Sequence, residues 1–189
     1  MPLRLVLSFL ALILLCCTRL AFAQYAPYNL SVSIQQIEDR KFTTIASFKL
    51  PLKHCQAWRY LIDYDSSASI PGVLSSSTTR LSINKAQVSL IMEEQILFFK
   101  IHMNSVINFV EIKNQGTDFV QIAGEAKSFQ GTWRIEPEDN GTVFKYQSVF
   151  QPDSALPMVA IKYFFEKRLR NSFEAMARIG AAHKDIVCE

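Results

Sequence analysis

Apolar and polar residues alternate along most of the chain between residues 29 and 151, which is the pattern of half-buried β-strands. Two such segments, "NLSVSIQQIE" and "KFTTIASFKL", flank Asp39 and Arg40, and we predict that they pair as strands. Six more segments follow, separated in places by turn residues such as Asn140 and Gly141. We predict a many-stranded antiparallel meander from "GVLSSSTTRLSIN", "AQVSLIMEEQ", "NSVINFVEIKN", "TDFVQIAGE", "GTWRIEPE" and "TVFKYQSVFQ".

Apolar residues follow a helical spacing in two other segments. In "KHCQAWRYLIDY", the residues Cys55, Trp58, Leu61 and Ile62 are spaced by three and four, which predicts a short amphipathic helix. The second segment, "PMVAIKYFFEKRLRNSFEAMARIGAAHK", predicts one long C-terminal helix lying across the sheet. Its predicted buried face consists of Met158, Ile161, Phe165, Leu169, Phe173, Met176 and Gly180.

The strand pattern changes phase at residues 93–95. Val88, Leu90 and Met92 share one parity, whereas Leu97, Phe99, Ile101 and Met103 share the other. This change predicts a bulge or a strand end, since one straight strand keeps its parity. The apolar run over residues 96–99 has two interpretations, a buried strand segment or a mobile mouth that admits a lipid or touches a membrane.

The first 23 residues differ from the rest of the chain. Arg4 precedes an apolar run of roughly 13 residues, and Ala21-Phe22-Ala23 then precedes Gln24. This pattern is typical of a secretory signal peptide, and the run is shorter than the ~20 residues of a membrane span. We predict cleavage after Ala23 and a periplasmic location, with an uncleaved anchor as the alternative.

Length and charge limit the organisation and the partners of the chain. A chain of 189 residues suits one domain, which we assign to residues 40–189, preceded by an N-terminal extension with an extra strand at 24–39. Removing residues 1–23 deletes two arginines and no acid, so the net charge falls from +3 to +1. Because nucleic-acid binders carry a strongly basic face, we expect no nucleic-acid partner, and we expect a monomer.

Two of the four cysteines, Cys55 and Cys188, remain after the predicted cleavage. In an exported chain, two cysteines predict one disulfide, here joining the first helix to the C-terminus; two unpaired thiols are the alternative. Neither cysteine has the neighbours of a zinc site. We therefore predict no metal and no cofactor.

The polar residues contain no recognisable catalytic motif. Asp63 and Asp65 lie two positions apart near a helix end, where capping or turn roles fit better than a general acid/base pair. The three histidines have no partner at metal or triad spacing, and the chain lacks both a Gly-x-Ser-x-Gly elbow and a phosphate-binding glycine loop. An ordinary hydrolase or nucleotide enzyme is therefore disfavoured.

The order of elements resembles a known superfamily. An apolar helix, Asp63-Tyr64 and Pro71-Gly72 occur in "WRYLIDYDSSASIPGVLSSS", and Gly131-x-Trp133 and Tyr146 occur in the stretch from 116 to 152. With the final helix, these stretches resemble the START-like (SRPBCC) superfamily of polyketide cyclases, dehydrases and lipid carriers, including its coenzyme Q-binding branch, over roughly residues 40–182. The resemblance implies an α+β helix-grip fold with a curved antiparallel sheet, two short helices and a long C-terminal helix.

The resemblance also implies an elongated, mostly apolar cavity beneath the last helix. The 14 phenylalanines and the 12% aromatic content can supply its wall. Tyr64 and Tyr146 could offer hydroxyls to a ligand head group. We predict that the cavity residues are Trp58, Tyr64, Ile70, Pro71, Phe98, Phe99, Phe109, Trp133, Tyr146, Phe150, Met158, Ile161 and Phe165.

Three functions remain open from the sequence. The first is binding of a lipid, fatty acyl or isoprenoid/quinone molecule, with transient opening at residues 70–76 and 96–103. The second is a cyclase- or dehydrase-like enzyme, for which His102, Glu111 and Tyr146 are the candidate ionisable groups. The third is a ligand-free interaction module, which a cavity far below ~300 Å³ would favour.

Overall fold

The computed structural model describes residues 27–96, 99–153, 158–185 and 187–188. The predicted signal peptide and its cleavage site lie outside these residues. Within them, the chain forms a sheet of eight strands and a small number of helical segments. The strands are β1 (Ser31–Glu38), β2 (Lys41–Leu50), β3 (Val73–Ser82), β4 (Lys85–Ile96), β5 (Phe99–Ile112), β6 (Gly116–Gly124), β7 (Ala126–Glu138) and β8 (Gly141–Pro152).

Two helical regions accompany the sheet. Between β2 and β3 lie helix α1 (His54–Leu61) and a 3-10 helix (Tyr64–Ser69). After β8 come α2 (Met158–Tyr163), a π-helical segment (Phe164–Leu169) and α3 (Arg170–Ala181), which we call together the C-terminal helix. Short 3-10 turns occur at Pro27–Asn29 and Ala182–Asp185.

All pairings in the sheet are antiparallel, and the strand order is β1-β2-β8-β7-β6-β5-β4-β3. The six later strands form the predicted meander, and β8 returns to pair with β2. Strand β1, inside the segment 24–39, adds the outermost strand next to β2. The predicted helix-grip architecture, a curved antiparallel sheet with a long C-terminal helix, is confirmed.

The phase change at residues 93–95 marks a strand end. The register between β4 and β5 runs without a shift from the pair Lys85–Val110 to the pair Ile96–Phe99. No bulge therefore interrupts β4 in this region. Phe99 and Met103, which carry the second parity, belong to the next strand, β5.

Alternation in β2 and β8 determines which side chains face the interior. In β2 the even-numbered residues from Phe42 to Leu50 are all buried, and in β8 the even-numbered residues from Thr142 to Ser148 are buried. This is the two-residue period of a strand with one face covered. The largest fully buried side chains include Phe48, Phe144 and Phe173.

The predicted apolar face of the C-terminal helix packs on this inner face. Phe165 and Phe173 are 5% and 2% exposed. Near the end of the helix, Gly180 allows close approach, because a Cβ there would lie 2.5 Å from Leu50 Cδ1 and 2.7 Å from Tyr60 Cε1. The helix is thus predicted correctly in extent, whereas its π-helical segment was not foreseen.

A disulfide and two hydrogen bonds anchor the C-terminal end of this helix. Cys55 and Cys188 form the predicted disulfide, with their Cα atoms 6.0 Å apart. Gln56 Nε2 donates to the Lys184 carbonyl at 2.7 Å, and the Tyr60 hydroxyl donates to the Met176 carbonyl at 2.7 Å. Within the described part of the chain, no helix is long and apolar enough to cross a membrane.

Candidate ligand cavity

A cavity of about 690 Å³ lies between the inner face of the sheet and the C-terminal helix. Its wall combines residues of β2 to β8 with the end of α1, the 3-10 helix and all three parts of the C-terminal helix. Its volume falls within the ~300–1,000 Å³ typical of small-molecule sites. The lining is mainly aliphatic and aromatic.

Aromatic rings form a continuous part of the wall. The ring centroids of Trp133 and Tyr146 are 4.7 Å apart, and those of Tyr146 and Phe173 are 5.1 Å apart. Tyr146 also stacks on Phe119, with centroids 5.9 Å apart. Tyr146 therefore connects the sheet side of the cavity with the helix side.

The strand register explains how these rings reach one surface. One row of paired residues crosses the sheet from Thr44 through Ser148, Gly131 and Phe119 to Phe109. A Cβ at Gly131 would lie 2.7 Å from Phe119 Cζ, so the glycine leaves room for that ring. The same row places two hydroxyl side chains beside the aromatic residues.

These buried hydroxyls form a small polar patch in the otherwise apolar wall. Thr44, Ser148 and Tyr146 are 2%, 4% and 8% exposed, and all three line the cavity. Burial raises the pKa of the Tyr146 phenol above its ordinary value, and a hydrogen bond with Ser148 opposes part of that rise. The patch stays uncharged over the physiological pH range and can both donate and accept hydrogen bonds.

The exposed residues of the lining include Asp63, Pro71, His102, Glu125 and Asp153, and we call this exposed part of the wall the mouth. His102 Nε2 lies 3.0 Å from Oε2 of Glu93, a residue that also accepts a 2.9 Å hydrogen bond from Lys100. The Lys100 hydrogen bond is the main reason that the pKa of the Glu93 carboxyl is lowered. His102 is therefore an exposed residue of the mouth.

A polar network ties the 3-10 helix to the sheet outside the cavity wall. The Tyr64 hydroxyl donates to Glu111 Oε1 at 3.1 Å, and Arg80 Nη1 donates to the same oxygen at 2.5 Å. Burial, followed by the Glu111 charge, raises the pKa of the Tyr64 phenol. Tyr64 lines the cavity, with its ring 4.4 Å from that of Phe109, but its hydroxyl proton is engaged by Glu111.

The structure places most of the predicted cavity residues in the wall. Tyr64 and Tyr146 are described above, and Phe98 lies outside the described residues. Phe99 is the first residue of β5. The other predicted residues that line the cavity are Ile70, Pro71, Phe109, Trp133, Phe150, Ile161 and Phe165.

Two predicted residues, Trp58 and Met158, lie beside the cavity and do not line it. Trp58 packs on the main core cluster, because α1 lies against β7 and β8 and only its last turn reaches the cavity. Met158 packs against a smaller cluster formed by Phe42, Ile161 and Phe165. Spacing along a helix identified both as inward-facing, but it could not distinguish core packing from cavity lining.

Sequence reasoning missed Thr44 and Ser148, although a usable signal was present. Both occupy the inward parity of their strands, between aromatic residues that do face the interior. A polar residue at an inward position of a strand is a candidate binding group, because burying it requires a partner.

The two aspartates have structural roles, as predicted. The carboxylate of Asp63 accepts from the Ser66 amide at 3.4 Å at the start of the 3-10 helix, although Asp63 also reaches the mouth. Asp65 Oδ1 accepts from the Thr78 hydroxyl at 2.8 Å. Among the residues that the structure describes, no three His, Cys, Asp or Glu side chains are grouped closely enough to hold a metal ion.

A curved antiparallel sheet closed by a C-terminal helix over an apolar cavity defines a START-like protein. In agreement, the model of the family "Polyketide cyclase / dehydrase and lipid transport" matches residues 50–177, and the chain belongs to this family. No curated protein sequence matches the chain.

Solved structures with low sequence identity share the fold. TTHA0849 from Thermus thermophilus is 12% identical, with a TM-score of 0.63 over 75% of this chain and 95% of that chain. A STAR-related lipid transfer protein from Xanthomonas axonopodis is 12% identical, with a TM-score of 0.60 over 79% and 98%. The ZhuI aromatase/cyclase from a Streptomyces species is 14% identical, with a TM-score of 0.59 over 74% and 93%.

Proposed function

We propose that this protein binds and carries a hydrophobic ligand, a lipid, a fatty acyl compound or an isoprenoid such as a quinone, in the cavity beneath its C-terminal helix. The observation that carries the proposal is the 690 Å³ cavity with its mainly aliphatic and aromatic wall. Membership of a family that includes lipid transport is consistent with this function.

Desolvation of the ligand supplies the affinity. Each buried methylene contributes about 0.8 kcal/mol, so ten of them provide about 8 kcal/mol before the losses of association are subtracted. The aromatic surface formed by Trp133, Tyr146 and Phe173 gives an acyl or prenyl chain an extended contact area. No charged contact is needed for such a ligand.

Ligand exchange takes place at the mouth, through transient opening of segments 70–76 and 96–103 and transient contact with a membrane. Residues Ile70 to Val73 and His102 to Asn104 contribute to the lining at this opening. The C-terminal end of the C-terminal helix is held by the disulfide and by the Tyr60 hydrogen bond, so movement of the two segments, and not of this helix end, provides the opening.

The compartment in this proposal is the periplasm, reached through the signal peptide at residues 1–23. The Cys55–Cys188 disulfide supports an oxidising compartment, since such bonds persist mainly in exported proteins. The exported carrier then operates in the envelope, between membrane surfaces.

The carrier function is favoured over the two alternatives. For the enzyme, three ionisable candidates were considered. His102 is exposed and paired with Glu93, and Glu111 is hydrogen bonded to Tyr64 and Arg80 and does not line the cavity. Of the three candidates, only Tyr146 is a buried residue of the cavity wall. For the ligand-free module, the observed volume exceeds the ~300 Å³ below which the cavity would count as collapsed.

Native mass spectrometry of the protein purified from its own envelope, followed by solvent extraction, tests the proposal. We expect a discrete added mass that solvent releases and that is recovered as a lipid or a quinone. A protein that carries no added mass, and that also fails to take up hydrophobic probes in solution, would contradict the carrier function.

A further inference from the structure

The cavity combines an apolar wall with an unusual charge distribution. Among the described residues that line it, none is lysine or arginine, whereas Asp63, Glu125 and Asp153 contribute carboxylates at the mouth. The Glu125 carboxylate is held in place by the Asn104 amide, which donates to it at 2.7 Å. Proteins recognise carboxylates and phosphates chiefly with arginine and lysine. An anionic ligand would therefore be repelled by the carboxylates at the mouth, and the described lining residues would offer it no lysine or arginine to pair with.

The polar groups inside the cavity suit an uncharged partner. Thr44 and Ser148 are directly paired across β2 and β8, and Tyr146 lies two residues from Ser148 on the same face. Their hydroxyls can donate to a carbonyl or accept from a hydroxyl. Burial of an ionised group beside neutral hydroxyls is strongly unfavourable, whereas burial of a hydrogen-bonded neutral group is tolerated.

We propose that the cavity selects uncharged ligands, whose ester, hydroxyl or ketone group hydrogen bonds to Thr44, Ser148 and Tyr146, and that it discriminates against free carboxylates. This inference rests on the proposed carrier function and narrows its ligand class. A neutral lipid ester, a prenyl alcohol or a quinone-type ketone fits it, and a free fatty acid does not.

The test compares methyl dodecanoate with dodecanoate at pH 8, two probes with the same chain that differ in charge. Each displaces Nile red, a neutral fluorophore, from the purified protein with its disulfide intact, below the concentration at which the probe aggregates. We expect the methyl ester to bind at least about tenfold more tightly than the acid.

A second arm separates hydrogen bonding from general apolarity. In the double variant Thr44→Val/Ser148→Ala, we expect affinity for methyl dodecanoate to fall by about threefold to tenfold, with displacement by dodecane unchanged. Thr43→Val/Ser47→Ala is the matched control, because it changes residues of opposite parity in β2 that do not line the cavity.

The outcomes distinguish this inference from the proposed function. Dodecanoate binding as tightly as its ester would overturn the charge selectivity and leave the carrier function intact. An equal loss of ester and dodecane binding in the Thr44→Val/Ser148→Ala variant, or no loss of ester binding, would overturn the role of the hydroxyls. If the protein does not take up Nile red and no probe shows any binding, the carrier function and the inference are both contradicted.

Discussion

The Tyr64 hydroxyl donates a 3.1 Å hydrogen bond to the Glu111 carboxylate and so joins the 3-10 helix at the mouth to the end of β5. The Glu111 side chain is 6% exposed. Removing the donor leaves that buried carboxylate with fewer partners, and hydrogen bonds to charged groups are worth about 1.5–3 kcal/mol. We expect Tyr64→Phe to lower the free energy of unfolding by about 1–2 kcal/mol, measured by urea denaturation.

Tyr163→Phe is the control for this substitution, because Tyr163 is 46% exposed. It should change the unfolding midpoint little. If both tyrosine variants unfold at the urea concentration of the original protein, the Tyr64–Glu111 bond does not stabilise the fold.

Phe165 is the helix residue whose substitution should affect ligand retention most directly. Its ring centroid lies 4.6 Å from that of Phe42 and 5.6 Å from that of Phe150, and the residue lines the cavity. A carboxylate at this position would be buried without a partner and would also draw water into the apolar wall. We expect Phe165→Asp to abolish co-purification of a hydrophobic ligand in native mass spectra, and Trp133→Asp to have the same effect.

Tyr163→Asp is the matched control, because it adds the same charge to the exposed side of the same helix. Circular dichroism identifies which variants remain folded. Undiminished retention by both folded cavity variants would contradict the assignment of this cavity as the binding site.

The disulfide should stabilise the whole domain through the unfolded state. It links residues 133 positions apart, and the chain-entropy model gives such a loop up to about 5 kcal/mol, with about 2–4 kcal/mol typical in practice. We expect the double variant Cys55→Ser/Cys188→Ser to melt well below the original protein. Amide hydrogen exchange should rise first in α3, which the disulfide anchors.

Dithiothreitol provides the control for the disulfide prediction. It should lower the melting temperature of the original protein toward that of the double variant and leave the double variant unchanged. Equal melting temperatures with and without the disulfide would show that it contributes no net stability.

Three tyrosines, two of them buried and one partly buried, should make the fold sensitive to alkali. Burial is the main cause that raises the pKa values of Tyr60, Tyr64 and Tyr146 above the ordinary value of about 10. Below about pH 10 the folded and unfolded states both keep these protons, so this contribution to stability is complete. Above it, the unfolded chain releases protons that the folded chain retains, and stability falls as pH rises.

Absorbance near 295 nm and melting temperatures between pH 8 and 11 check this expectation. Tyrosinate signal from these residues should appear only as the protein unfolds, and Tyr146→Phe should flatten the alkaline decrease in melting temperature. Ionisation of all tyrosines while the fold remains intact would contradict the proposed burial effect.

Local periodicity made much of the fold predictable. The two-residue period identified every strand from β1 to β8, and the three-to-four-residue period identified α1 and the C-terminal helix. Both periods depend on backbone geometry within a few residues, which the sequence carries directly. The π-helical segment was not predictable in this way, because its i→i+5 bonding leaves no comparable repeat in the sequence.

The candidate site was predictable only in its general character. Apolar and aromatic positions indicated a cavity wall, and most of the predicted residues do line it. Trp58 could not be separated from the lining by its spacing, because its neighbours come from β7 and β8, far along the chain. Likewise, the role of Thr44 in the polar patch could not be predicted, because it depends on pairing with Ser148, which lies far along the chain.

The sequence by itself therefore determined the order of elements, the two-residue alternation of the strands and the apolar face of the last helix, since these follow from local periods. Tertiary structure decided which inward-facing residues line the cavity and which pack in the solid core. It also decided that neutral hydroxyls from β2 and β8 meet inside a wall whose described residues include no lysine or arginine. These properties depend on strand register and on the position of the helix over the sheet, which bring together residues about a hundred positions apart.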